Sequence, residues 1–368
     1  MRIAQIAPPW ITIPPKSYGG TENVLYDLIQ ELRAHDHDVT LYATGDAKTS
    51  ARLVSFIPRA LTEEGVPWRE HLQPYYHLHK AIEHCKTQRY DIVHAHLSVT
   101  SDLFLFPLLS TLRTPHVATL HSNFPFDRMS GNWIGNADRY YMDWAPDVPL
   151  VAISKSAQAQ QPVPVKFVGV VHNGISLRKY QPTGKPRGNF FMWMGRFVPE
   201  KGAHRAIQAA RRAGVPLLLA GSMDRSTKEM QHYFQQEVRA YCDGIQIRYV
   251  GPVNAQQKIN LLSQARGLLN PIEWEEPFGM VMIEAMALGC PVITFARGAV
   301  PEIVVHGQTG FLVQNLDEMV EAIAHIDELD RVATRNHVIQ NFSARSMAER
   351  YLEIYQQVIA DSLKMAAR

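Results

Sequence analysis

Short apolar strands alternate with amphipathic helices along most of this chain, and the alternation runs twice. That pattern constrains the fold more than any other feature, because strand–helix–strand units lay parallel strands into one sheet. In the first run, residues 3–7 read as a buried strand, followed by a loop carrying Pro14, Pro15, Gly19 and Gly20. A helix then places Val24, Leu25, Leu28, Ile29 and Leu32 on one face. Further strands are predicted at 39–43, 91–95, 116–121, 150–153 and 168–171. Residues 181–189 are polar and rich in Pro and Gly, which reads as a linker. The second run has strands at 190–194, 217–220, 247–250, 267–270 and 292–295, with helices at 203–213, 256–264 and 280–288. A last helix from 344 carries Met347, Tyr351, Ile354, Tyr355 and Val358 on one face. The expectation is an α/β chain of two doubly wound parallel sheets. Domains are expected at 1–180, with the helix 344–368 packing back on it, and at 188–343. Ligands of such sheets bind beyond the carboxyl ends of the strands, so the cleft between the domains is the expected site.

A length of 368 residues suits two domains rather than one core. Lys and Arg total 37 against 35 for Asp and Glu, and this near balance argues against a dedicated nucleic-acid binder. Cys85, Cys242 and Cys290 are widely spaced, which suggests neither a zinc knuckle nor a disulfide framework. A strand begins at once after Met1 with no signal peptide ahead of it, and the strongest apolar run, 103–109, is too short to span a bilayer. These features suit a cytoplasmic protein and are compatible with peripheral contact at the inner membrane face.

The most informative stretch runs from Glu276 to Pro291. Pro277 and Gly279 mark a turn, a helix follows, and Gly289 with Pro291 stops it. Glu276 therefore sits ahead of the helix and Glu284 about one turn inside. Between them lie the first-turn amides, 278 to 281, whose unpaired N–H groups and partial positive charge suit a phosphate. The plainer reading is that glutamates simply favour a helix N-terminus.

With its Pro277-Phe278-Gly279 turn, the following Glu284-Ala-Met-Ala-Leu-Gly289-Cys-Pro291-Val, and the later Pro301-Glu302-Ile303-Val304 with Gly307 and Gly310, this segment resembles the Glu, seven residues, Glu motif of family 4 retaining glycosyltransferases. The resemblance implies the GT-B fold, two Rossmann-like domains facing across a cleft. It implies that Glu276 holds hydroxyls of a donor sugar and that Glu284 grips the ribose of its nucleotide. The amides of Phe278, Gly279 and Met280 would contact sugar and diphosphate, with Val281 and Val253 completing the donor-binding set.

Arg196 and Lys201 lie between a strand and the helix at 203. Cations at a helix N-terminus are unfavourable by a few tenths to about 1 kcal/mol, so two of them suggest an anion there. The segment looks like the family's Gly-Arg and Lys-Gly diphosphate clamp. Such a clamp would replace a metal, and no cofactor is expected. Asp36-His37-Asp38 falls in a helix-to-strand turn and reads as a polar turn rather than a metal motif.

In the amino-terminal half, Gly19 and Gly20 precede Thr21 and Glu22, with Thr21 read as a helix cap. The group resembles the family's Gly-Gly-x-Glu loop facing donor phosphate and acceptor. His121 ends a strand at the place where the family carries a His that touches the donor sugar. His94 and His96 share one strand face; a metal pair is conceivable there, but strand-end packing is favoured because no third ligand is evident. Asn173-Gly174-Ile175 resembles the family's hinge, with Ser176 in place of its Asp.

The resemblance implies a retaining hexosyltransferase. It would move a sugar from a nucleotide-diphosphate donor, UDP-glucose first and GDP-mannose second, to a small-molecule, lipid or glycan hydroxyl. Its catalytic set would be Glu276, His121, Arg196 and Lys201. The rivals are a sugar-nucleotide epimerase on the same architecture and an inactive sugar-binding accessory subunit.

Overall fold

The computed structural model describes residues 1–16, 19–123, 143–159, 165–224 and 227–366. The chain divides into two compact units, one of 1–174 with 344–368, the other of 175–343. The stretch 181–189 has no helix or strand and belongs to the second unit.

The first unit holds a seven-stranded parallel sheet. Its strands are β1 (Arg2–Ile6), β2 (Asp38–Tyr42), β3 (Arg52–Val54), β4 (Ile92–Leu97), β5 (His116–Leu120), β6 (Leu150–Ala152) and β7 (Phe167–Val170). They lie in the order β3-β2-β1-β4-β5-β6-β7. The central strands are buried on both faces, as in Ile3, Ala4 and Ile6 or Val93 and Ala95, because helices cover both sides of a parallel sheet. The helix Ala344–Ala366 packs on the helix Gly20–Ala34 and buries Met347, Tyr351 and Tyr355 in this unit. Strand order reverses between β1 and β4, where such sheets place their ligands.

The second unit repeats the plan with six parallel strands: β8 (Phe191–Met194), β9 (Leu217–Ala220), β10 (Ile247–Gly251), β11 (Leu268–Asn270), β12 (Val292–Phe295) and β13 (Gly310–Val313). Their order is β10-β9-β8-β11-β12-β13, which reverses between β8 and β11. The helix Ala203–Ala213 follows β8 and buries Ala203, Ala206, Ile207, Ala209 and Ala210. Among the described residues no helix is long and apolar enough to cross a membrane.

Several elements go beyond the sequence reading: β3, β13, and the helices Leu72–Thr87, Leu316–His325 and Arg331–Asn341. Thr21 is not the cap. The helix starts at Gly20, and the Asn23 amide already bonds the Gly19 carbonyl at 3.2 Å, so Thr21 lies within the first turn. Asp36-His37-Asp38 does form the turn into β2, with Asp36 at φ 58°.

Candidate functional site

The loops after β8 and β11 flank the reversal point of the second sheet, and they carry Arg196, Lys201 and Glu276. The two loops are tied together. The Glu273 amide donates to the Glu200 carbonyl at 2.8 Å. Gly202, at φ 70°, lies so close that a Cβ there would stand 1.9 Å from the Pro271 carbonyl oxygen. Only glycine combines that backbone with that approach. Lys201 is thereby fixed beside the second loop, and its carbonyl accepts the Trp193 indole N–H at 3.0 Å.

Lys201 Nζ donates to Glu276 Oε2 at 2.7 Å and lies over the Trp274 ring, 4.7 Å from its centroid. The Trp274 indole N–H donates to the same oxygen at 3.0 Å. Glu276 is only 6% exposed, so this pair of donors offsets the cost of burying its charge. Its backbone is held as well: the Ala299 amide donates to the Glu276 carbonyl at 2.8 Å. Gly298, at φ 59°, makes room for that contact, since a Cβ there would fall 2.4 Å from the Glu276 backbone.

The helix Met280–Ala287 begins three residues past Pro277 with Gly279 as its N-cap, in a left-handed conformation. The Met282 amide is taken by the Gly279 carbonyl at 3.0 Å. Gly279, Met280 and Val281 supply the amides that helix geometry leaves for an outside acceptor. Phe278 precedes the helix, and its ring is buried against Phe342, 6.0 Å between centroids. Its side chain thus anchors the turn.

Glu284 is buried one turn into this helix. Its Oε1 accepts from the Tyr180 hydroxyl and from Lys258 Nζ, the latter at 2.6 Å. Lys258 also lies 5.7 Å over the Tyr180 ring. Lys258 belongs to the helix Ala255–Gln264, capped by Asn254, and Val253 is half-buried in the turn just before it. Arg196 is the more exposed of the expected cations and pairs with Asp224 at 3.5 Å.

The structure thus brings Lys201 and Glu276 into contact and puts Glu284 in the helix that follows, while Arg196 pairs with Asp224. Trp274, Tyr180 and Lys258 have no counterpart in the sequence reading.

The remaining expected residues lie in the first unit. Gly19 is the N-cap of Gly20–Ala34 and its carbonyl also accepts the Asn23 side-chain amide at 2.9 Å. Glu22 is buried in the first turn, and burial raises its pKa to about 7. His121 follows β5 and meets His96, with His121 Nε2 and His96 Nδ1 2.8 Å apart. Both nitrogens of His94 and both of His96 are engaged in protein hydrogen bonds, so the metal alternative at this pair finds no open ligand atom. Among the described residues no group of three His, Cys, Asp or Glu side chains forms a metal-binding set.

The description "Glycosyl transferases group 1" matches residues 178–344, and "Glycosyltransferase Family 4" matches 18–179. This chain belongs to the group 1 glycosyltransferases. It is 23% identical to the putative glycosyltransferase YtcC of Bacillus subtilis, over 95% of this chain and 91% of that one. Sucrose-phosphate synthase from Thermosynechococcus elongatus superposes with a TM-score of 0.77 at 19% identity, covering 98% of this chain and 100% of the other. Anabaena HepE in complex with UDP-glucose gives 0.68 at 18%, over 99% and 100%. The GT-B fold follows, and this group 1 chain is a glycosyltransferase enzyme.

Proposed function

We propose that this glycosyltransferase takes a hexose from UDP-glucose and passes it to an acceptor hydroxyl with retention at the anomeric carbon. One observation carries the reading: Lys201 and Glu276 meet at 2.7 Å beside the amide tip of the helix Met280–Ala287. A diphosphate at that tip would be met by the amides of Gly279, Met280 and Val281 and by the Lys201 ammonium, with Arg196 moving from Asp224 to join them. These groups are aimed where negative charge grows as the bond from the anomeric carbon to the diphosphate oxygen breaks. Glu276, held by Lys201 and Trp274, offers its second oxygen to sugar hydroxyls. Glu284, next along the helix, accepts from the ribose hydroxyls. A cationic clamp of this kind does the work of a metal. The acceptor oxygen attacks on the face that the leaving group vacates and loses its proton to the departing diphosphate, so no protein nucleophile is needed. His121 completes the reading from the first unit, as the residue that meets a hydroxyl of the donor sugar. The choice of UDP-glucose is supported by the bound ligand of Anabaena HepE.

A thermal-shift panel of UDP, GDP and ADP tests the nucleotide. At about a hundred times its Kd a ligand adds roughly 2.7 kcal/mol, a rise of several degrees. UDP should give it. NMR of the product formed from UDP-glucose should show the donor's anomeric configuration. Failure of all three nucleotides to stabilise the protein, or an inverted product, would overturn the reading.

A further inference from the structure

A single chain of hydrogen bonds runs through the first unit from the helix Ala344–Ala366 to His121. Gln5 on β1, His94 and His96 on β4, and Thr119 on β5 share one sheet face, since β1 pairs with β4 at Gln5–His94 and β4 with β5 at His96–Thr119. Tyr351 and Tyr355, one helical turn apart, cover that face. All of these side chains are buried, so each donor needs an acceptor. The amide of Gln5 then sets the direction of every bond. Its Nε2 donates to the Tyr355 hydroxyl at 3.1 Å. Tyr355 must spend its one proton on His94 Nδ1, 2.7 Å away, which makes His94 Nε2 the donor to Thr119 at 2.7 Å. On the other side, Gln5 Oε1 can only accept, so His96 carries its proton on Nε2, 2.8 Å away. His96 Nδ1 is then a lone pair, and the bond to His121 at 2.8 Å needs the proton of His121 Nε2. A neutral imidazole has one N–H, which leaves His121 Nδ1 bare. Burial pushes all three histidines well below their ordinary pKa, His121 to about 3. Turning the Gln5 amide over would reverse every bond and present an N–H at Nδ1 instead.

We propose that Gln5 and Tyr355 are positioning residues that fix the proton of His121 on Nε2, so that its Nδ1 accepts a hydrogen bond from a hydroxyl of the donor sugar. The second half rests on the reading of His121 given under the proposed function; the first half does not. A hydroxyl-accepting Nδ1 orients the sugar without adding positive charge near the anomeric carbon.

Multiple-bond 1H–15N NMR of the full, ligand-free chain reads the tautomer of each histidine. His121 should carry its proton on Nε2. Gln5→Leu removes the arbiter, so His121 should populate both tautomers. kcat/KM on UDP-glucose should then fall roughly tenfold, the worth of one hydrogen bond. Tyr355→Phe, which leaves the Gln5 amide free to turn, should give the same mixture if Gln5→Leu does not fold. A His121 protonated on Nδ1 in the wild type, or an unchanged tautomer in both Gln5→Leu and Tyr355→Phe, overturns the assignment. The stated tautomer with wild-type turnover in Gln5→Leu overturns the sugar contact. Absence of transfer from every nucleotide sugar would instead sink the proposed function, while the tautomer, read without ligand, is judged separately.

Discussion

Glu276 has two donors on one oxygen and a backbone pinned by Ala299. Replacing it by Gln keeps the shape but removes the charge that Lys201 answers. Glu276→Gln is expected to leave melting almost unchanged and to lower kcat by roughly a hundredfold or more, the scale of one preorganised polar group at a reacting centre. Steady-state kinetics with UDP-glucose measures it. Glu284 poses a different problem, since its partners are residues the sequence did not single out. Lys258→Met strands a buried carboxylate on Tyr180 alone and should cost about 1–3 kcal/mol in urea unfolding. Adding Glu284→Gln should recover most of that loss, and a purely additive double mutant would refute the coupling. The two glutamates were legible because a helix start has a local signature in Pro277, Gly279 and Gly289. Lys258, Tyr180 and Trp274 were not, because each is one unremarkable residue on its own segment. Only the packing of those segments gives them a common target.

At the level of elements, the site depends on two loops that leave adjacent strands and touch. Gly202 is a point of that contact where no side chain fits. Gly202→Ala adds a left-handed non-glycine residue and a backbone clash, and should destabilise by about 2 kcal/mol or more. Because Lys201 is its neighbour, UDP affinity should fall with it; calorimetric titration at a temperature where the variant is folded separates the two effects. The strongly periodic and fully buried elements were readable from sequence, as with the helix Ala203–Ala213 and strands β9 and β12, whose limits match the reading. β3 escaped because it has three residues, none fully buried, at the edge of its sheet. The helix Leu72–Thr87 escaped because His77, one of its inward residues, reads as polar. His77 is buried with its Nε2 3.1 Å from the Ala7 carbonyl.

Over the whole molecule, titratable groups are unevenly placed. His77, His94, His96 and His121 all lie in the first unit, and burial depresses their pKa values, His77 to about 4 and His121 to about 3. Glu22 and Asp102 lie there too, and burial raises both to about 7. Between pH 4.5 and 6.5, roughly the unfolded values, the unfolded chain binds four protons on these histidines that the folded chain refuses. The folded chain keeps two on the carboxyls. The unfolded state therefore binds more, and stability should rise with pH across that window. Approaching pH 7 the unfolded histidines lose their protons, and above it the carboxyl contribution is lost in turn, so stability should peak near pH 7. Urea unfolding at several pH values, followed by the tryptophans of each unit, measures the profile. A Glu22→Gln variant should lose part of the fall on the alkaline side.

The first unit is closed by a helix that the ribosome makes after the entire second unit. The segment 175–343, with all its own strands, is made before Tyr351 and Tyr355. The seven-stranded sheet must wait, its face of Gln5, His94 and Thr119 uncovered, until the chain returns to it. The half of the protein that is translated first is thus the half whose closing element is made last.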